Sequence, residues 1–132
     1  IQEHSTSNPC SISQKAAVEA LSGDQGTVRA MVEEYRRRRD YVARRVDQIG
    51  HIPYALPDGA FYFFADFSHY IQKKKLQDDA HLAMDILEKL GIIFVPGSAF
   101  GAPNHLRISY ATSMPDIQEG LGKLEEYLHH DR

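Results

Sequence analysis

An α/β fold, in which a small antiparallel or mixed sheet is covered by helices as an α+β sandwich, follows from three features of the sequence. Some stretches step apolar residues by three or four, while shorter ones alternate or run β-branched and aromatic. Their order is helix, helix, strand, helix, strand, strand, helix, and a long helix stands ahead of the sheet. The 132 residues are 42% hydrophobic and 25% charged, the balance of a chain able to bury a core.

Asn8-Pro9 reads as an N-cap with proline in the first helical turn, and Ile12, Ala16 and Ala20 or Leu21 continue at helical spacing to a stop at Ser22-Gly23. From Val28 onward Val32, Tyr35, Val42, Val46 and Ile49 mark one long amphipathic helix ending at Gly50, with Arg39 filling the one slot that is not apolar. At about 1.5 Å per residue it exceeds roughly 30 Å, the length of a helix that bridges domains. The expected division is therefore 1–27, an N-terminal segment and short helix, and 28–132, the domain proper. Pro53, Pro57 and Asp58-Gly59 punctuate the next stretch, and Ala60 to Ala65 reads as a buried aromatic strand. Leu82, Ile86, Leu87 and Leu90 form a helix closed by Gly91, Ile92 to Val95 a β-branched strand ending at Pro96-Gly97. His105 to Tyr110 alternates, with Leu106, Ile108 and Tyr110 on one face and His105, Arg107 and Ser109 on the other. Met114-Pro115 opens a last helix whose Ile117, Leu121, Leu124 and Leu128 point inward. His129-His130 reads as its frayed end.

Fifteen Lys and Arg against eighteen Asp and Glu leave a net charge of -3, which argues against nucleic acid as a partner. The single cysteine, Cys10, excludes an intrachain disulfide and fits a cytoplasmic protein. No apolar run approaches the roughly 20 residues of a membrane span, and no membrane partner is expected. Ile1 is not an initiator methionine, so a piece of a longer protein is expected.

Arg107 is the sharpest candidate, because a guanidinium in mid-strand on the face away from the core needs an anionic partner, and its planar fork suits a carboxylate. The residues alone favour an ordinary salt bridge to a local Asp or Glu over a bound acid. Pro96-Gly97-Ser98-Ala99-Phe100-Gly101 could be a phosphate-cradling nest, although a plain strand-exit turn fits better. Arg36 to Arg39 reads as a solvated helix face paired with Glu33, Glu34, Asp40 and Asp47 rather than a nucleic-acid patch. The seven histidines show no metal-ligand spacing, and Cys10 reads as a packed thiol rather than a reactive one. Phe61 stands at the head of the aromatic run, where one ring could line a pocket.

Ser5-Thr6-Ser7-Asn8-Pro9, the arginine-rich helix Glu34 to Asp47, Asp58-Gly59-Ala60-Phe61-Tyr62, Val95-Pro96-Gly97-Ser98-Ala99-Phe100-Gly101 and Leu106-Arg107-Ile108-Ser109-Tyr110-Ala111-Thr112-Ser113 occur in this order. Together they resemble the C-terminal, small domain of class I pyridoxal-phosphate-dependent aminotransferases of the aspartate aminotransferase kind. The resemblance implies the small domain of the type I fold of pyridoxal-phosphate transferases, and exchange of an amino group between an amino acid and a 2-oxo acid. It makes Arg107 the residue that grips the substrate α-carboxylate and puts Phe61 at the pocket wall. It sets Ser5 to Asn8 near a subunit interface of a homodimer, and makes the long helix the link to a large domain.

The family's cofactor, pyridoxal 5'-phosphate, is held by a lysine in a Ser-Lys motif, by glycines and by an aspartate on the pyridine nitrogen. None of Lys15, Lys73, Lys74, Lys75, Lys89 and Lys123 stands in such a motif. The resemblance thus implies that those groups lie upstream of Ile1, and that this chain by itself supplies no catalytic or cofactor-binding residue. Some relatives read a distal carboxylate with an arginine near the position of Gln2, which cannot do that work. Two alternatives stay open: an amino-acid-sensing effector domain of a transcription regulator, and a lyase or synthase on the same fold.

Overall fold

The computed structural model of the chain describes residues 8–130. Gln2 and the Ser5 to Ser7 part of the proposed interface segment lie outside the described residues. By its contacts the chain divides into residues 1–33 and residues 34–132, and the division falls inside the second helix.

In the first unit, helix α1 spans Ser11–Ser22. It starts after Cys10 and not at Asn8, because Cys10 is extended (ψ 134°) and caps nothing with its side chain. The Pro9 carbonyl instead accepts the Gln14 side-chain amide at 2.8 Å. Cys10 is exposed, which overturns its reading as a packed thiol. The stop at Ser22-Gly23 is where the sequence puts it, the Gly23 N–H donating to Glu19 O. Helix α2, Gly26–Ile49, begins in this unit and runs for 24 residues.

The second unit opens on the arginine-rich turns of α2. Arg37 and Arg38 both pair with Glu34 at 2.8 Å, and Arg39 pairs with Asp40 at 2.7 Å. The run is thus a charged helix face whose cations are matched along the helix. Val42, Ala43, Val46 and Ile49 form its buried stripe, and Gly50 (φ +76°) ends it.

Strands β1 (Tyr62–Asp66), β2 (Val95–Pro96) and β3 (His105–Ser109) make an antiparallel sheet in the order β1-β3-β2. β1 is not buried throughout, as its aromatic composition suggests; Phe63 and Ala65 are buried while Tyr62, Phe64 and Asp66 are half-buried. Only one face of the sheet meets helices, so aromatic content here hides an alternation. β2 is far shorter than Ile92 to Val95, since Ile92, Ile93 and Phe94 make no ladder.

The sequence reading lacks helix α3, Ser68–Lys73, whose six residues are too few to show a period. Tyr70 and Ile71 anchor it in the core. Helix α4, Asp79–Leu90, is closed by Gly91 (φ +69°), and α5, Met114–His129, starts on a Ser113 cap that accepts the Asp116 N–H. The buried faces of α2, α4 and α5 join Phe63, Ala65, Leu106 and Ile108 in one hydrophobic core. His129 is not frayed: its Nε2 lies 3.1 Å from Ile49 O and 3.4 Å from the Tyr70 hydroxyl, which ties the end of α5 to the end of α2. No helix among the described residues is long and apolar enough to cross a membrane.

Candidate functional site

The alternation of β3 buries Leu106 and Ile108 and turns Arg107 to the other face, where it stands in register with Phe64 of β1 and Val95 of β2. The guanidinium carbon lies 4.2 Å from the centre of the Tyr62 ring and 4.7 Å from that of Phe100. Phe64 meets Phe100 edge-on at 6.3 Å and stacks on His105 at 5.1 Å, so the rings around the arginine brace one another. Among the described residues no carboxylate pairs with Arg107. The local salt bridge that the residues alone favour is absent. Aromatic faces attract a cation by about 0.5–2 kcal/mol, but they accept none of its directed N–H bonds. Among the described residues the fork of donors meets no carboxylate, and a carboxylate is the group that would match its geometry.

Phe100 is delivered by a tight turn, a 3-10 helix over Gly97–Phe100 that follows β2 and ends at Gly101 (φ +77°). Gly97 is obligatory at the start of that turn: a Cβ there would lie 2.4 Å from Ala102 O and 2.6 Å from His105 Cβ. The turn is not a phosphate nest. The Ser98 N–H donates to the carboxylate of Asp79 at 2.7 Å, and the Gly101 and Ala102 N–H groups donate to Ser98 O and Gly97 O. These three donors are consumed internally, and that of Ser98 already holds an anion. Asp79 is the first residue of α4 and only 1% exposed.

Phe61 precedes β1, is 39% exposed and packs its ring 4.6 Å from that of Tyr62, the ring beneath Arg107. Tyr110 holds its backbone, with its N–H on Phe61 O at 3.0 Å and its hydroxyl on Ala60 O at 3.1 Å. Burial pushes the Tyr110 hydroxyl above its ordinary range, so it acts as a fixed donor. Thr112 and Ser113 donate to the Asp116 carboxylate, whose pKa those hydroxyls lower, and so the end of the Arg107 motif serves to start α5.

The described residues do not form a place for pyridoxal phosphate. The one glycine turn beside the arginine is filled by Asp79, and no lysine lies on the sheet face that carries Arg107. Lys73 and Lys74 donate to Leu128 O and His130 O, Lys89 pairs with Asp85, and Lys123 pairs with Glu119. Lys15 and Lys75 are exposed on α1 and just after α3. Tyr62, Phe100 and Asp79 are the site residues that sequence reasoning missed. An antiparallel pairing of β1 with β3 would have set Tyr62 and Phe64 on the arginine's face, but Phe100 and Asp79 depend on how a turn folds.

A family model described as aminotransferase class I and II matches residues 1–124. The chain is 40% identical to the aspartate/prephenate aminotransferase of Nitrosomonas europaea over 97% of its own length and 34% of that protein's. It is 39% identical to the aspartate aminotransferase of Streptomyces avermitilis over 97% of its length and 32% of the relative's. Among solved structures, the aspartate aminotransferase of Rhizobium meliloti superposes with a TM-score of 0.87 at 36% identity, covering 96% of this chain and 33% of that one. That of Thermotoga maritima superposes with a TM-score of 0.82 at 32% identity, covering 98% and 31%. The chain spans about a third of the length of the curated relatives it matches.

Proposed function

Because the chain belongs to the class I and II aminotransferase family, we propose that it is the carboxylate-gripping, C-terminal part of an enzyme that moves an amino group between an amino acid and a 2-oxo acid. In this reading Arg107 binds the α-carboxylate through two parallel N–H bonds. Tyr62 and Phe100, on which its guanidinium lies, fix the plane of the fork and keep water from its faces. Phe61 forms the adjoining wall. The carboxylate grip thereby orients the reacting carbon without taking part in bond making.

Pyridoxal phosphate supplies the electron sink of this reaction in the family, and its lysine, phosphate site and pyridine partner belong to a large domain of the same polypeptide outside these 132 residues. The chain alone is accordingly inactive, the complete enzyme works as a homodimer, and closure of this domain on the substrate brings Arg107 to the carboxylate. The observation that carries the reading is a half-buried arginine with aromatic walls and no acidic partner among the described residues.

The test is Arg107→Ala in the complete enzyme. It should lower kcat/KM for L-aspartate by about 2–5 kcal/mol of transition-state binding, with the absorbance of bound cofactor unchanged. Unaltered kinetics would remove the role.

A further inference from the structure

The Phe100 ring meets Phe64 edge-on, and the turn that carries it is tied in addition to a buried carboxylate. Asp79, at the first position of α4, is buried, and its carboxylate accepts the Ser98 N–H at 2.7 Å. That bond ties the first turn of α4 to the start of the Gly97 to Phe100 turn, 19 residues on. Gly97 is packed against Ala102 and His105 too closely for any side chain, which leaves the turn no second seat. Phe100, two residues after Ser98, is thereby held over Arg107 although the residue is 53% exposed.

We propose that Asp79 is a positioning residue for substrate recognition: through Ser98 it fixes the turn that holds the Phe100 ring against Arg107, and so sets the affinity of the arginine for a carboxylate. The inference rests on the carboxylate reading of Arg107. A free phenyl-bearing loop would let the guanidinium tilt and rehydrate, whereas a braced ring confines it to one plane. Asp79 is suited to this because it stays ionised. Burial raises its carboxyl, but the N–H and hydroxyl of Ser98 together with the N–H groups of Asp79 and Asn104 outweigh that and hold it below the usual carboxylate range. Its place in the first turn of α4 favours the negative charge as well.

The experiment is a double-mutant cycle in the complete holoenzyme, with Asp79→Asn, Phe100→Leu and the pair together, and Arg107→Ala as reference. Succinate is the binding probe, since it carries carboxylates but no amino group to react; KM and kcat for L-aspartate and the unfolding midpoint are read alongside. Asp79→Asn and Phe100→Leu should each weaken succinate by about tenfold and the pair by about tenfold, not a hundredfold, because both break one device. KM should rise with kcat within about twofold.

A lowered unfolding midpoint with unchanged succinate affinity in Asp79→Asn would reduce the residue to a structural role and overturn the proposal. Multiplicative effects in the pair would do the same. If Asp79→Asn fails to fold, Asp79→Ser, which leaves the Asp78 cap of α4 in place, enters the cycle in its place under the same criteria. Should Arg107→Ala leave succinate binding intact, the carboxylate reading falls and this inference with it. Weakening by Arg107→Ala alone sinks only the role of Asp79.

Discussion

Replacing Gly97 by alanine asks the most of the site with the fewest atoms. The added Cβ would meet Ala102 O at 2.4 Å and His105 Cβ at 2.6 Å, where ordinary contact begins at 3.4 Å. The nearest clash is with backbone, and it is about 1 Å too close, so the loop itself must move. Overpacking of this kind costs about 1–3 kcal/mol when side chains can yield and more when main chain must; a loss of about 3 kcal/mol is expected. The same displacement carries Phe100 off Arg107, and about 1 Å at a positioning group can cost about a hundredfold in rate. Urea unfolding of the chain can be followed by tyrosine circular dichroism, since the sequence has seven tyrosines and no tryptophan. Kinetics of the complete enzyme on L-aspartate give the second reading. A stability change under about 0.5 kcal/mol together with unchanged kinetics would refute the packing argument and the link from the turn to the arginine.

Two other perturbations test the chain away from the turn. Gly122→Ala in α5, where a Cβ meets nothing within 4 Å and the backbone is helical, should stabilise the chain by about 0.8–1 kcal/mol in the same urea experiment, and a destabilisation would contradict the helix. Glu34 is held down to about 2 by hydrogen bonds from Arg37 and Arg38. A carboxylate lowered on folding contributes stability above its unfolded pKa and loses it as pH falls through the folded one, here between about 4.5 and about 2. Carbon-detected NMR titration should place the Glu34 midpoint near that lower figure, and Arg37→Gln with Arg38→Gln should move it back toward 4.5; a wild-type midpoint near 4.5 would show the pairs to be absent in solution.

What could be read from the residues was whatever a single element states by itself. Val42, Val46 and Ile49, or Ile117, Leu121, Leu124 and Leu128, declare a helix face by spacing alone, and the structure buries all of them. Arg107 declared itself because Leu106 and Ile108 on either side had to face inward. Illegible features depend on two elements at once. β1 looked buried because Tyr62 and Phe64 are aromatic, yet their place on the open face follows from helices covering only the other. The six residues of α3 show no period, and their helix is held by Tyr70 and Ile71 in the core. His129 looked like a loose end until Ile49 O and the Tyr70 hydroxyl met it. Asp79 in the first turn of α4 reads as an ordinary helix-start acid, and nothing in the sequence says that its partner is Ser98, 19 residues on.

The buried link between Asp79 and the Gly97 turn has a consequence for how a ligand would be received. A mobile aromatic lid must be immobilised at the moment of binding, and each side chain so ordered takes about 0.5–1.5 kcal/mol from the affinity. Here the ring beside the guanidinium sits on a turn held by its own main-chain hydrogen bonds and by the Ser98 N–H on the Asp79 carboxylate, all formed when the domain folds. In the proposed function the arginine is therefore preorganised, and a bound acid would meet a counter-ion whose plane is already set.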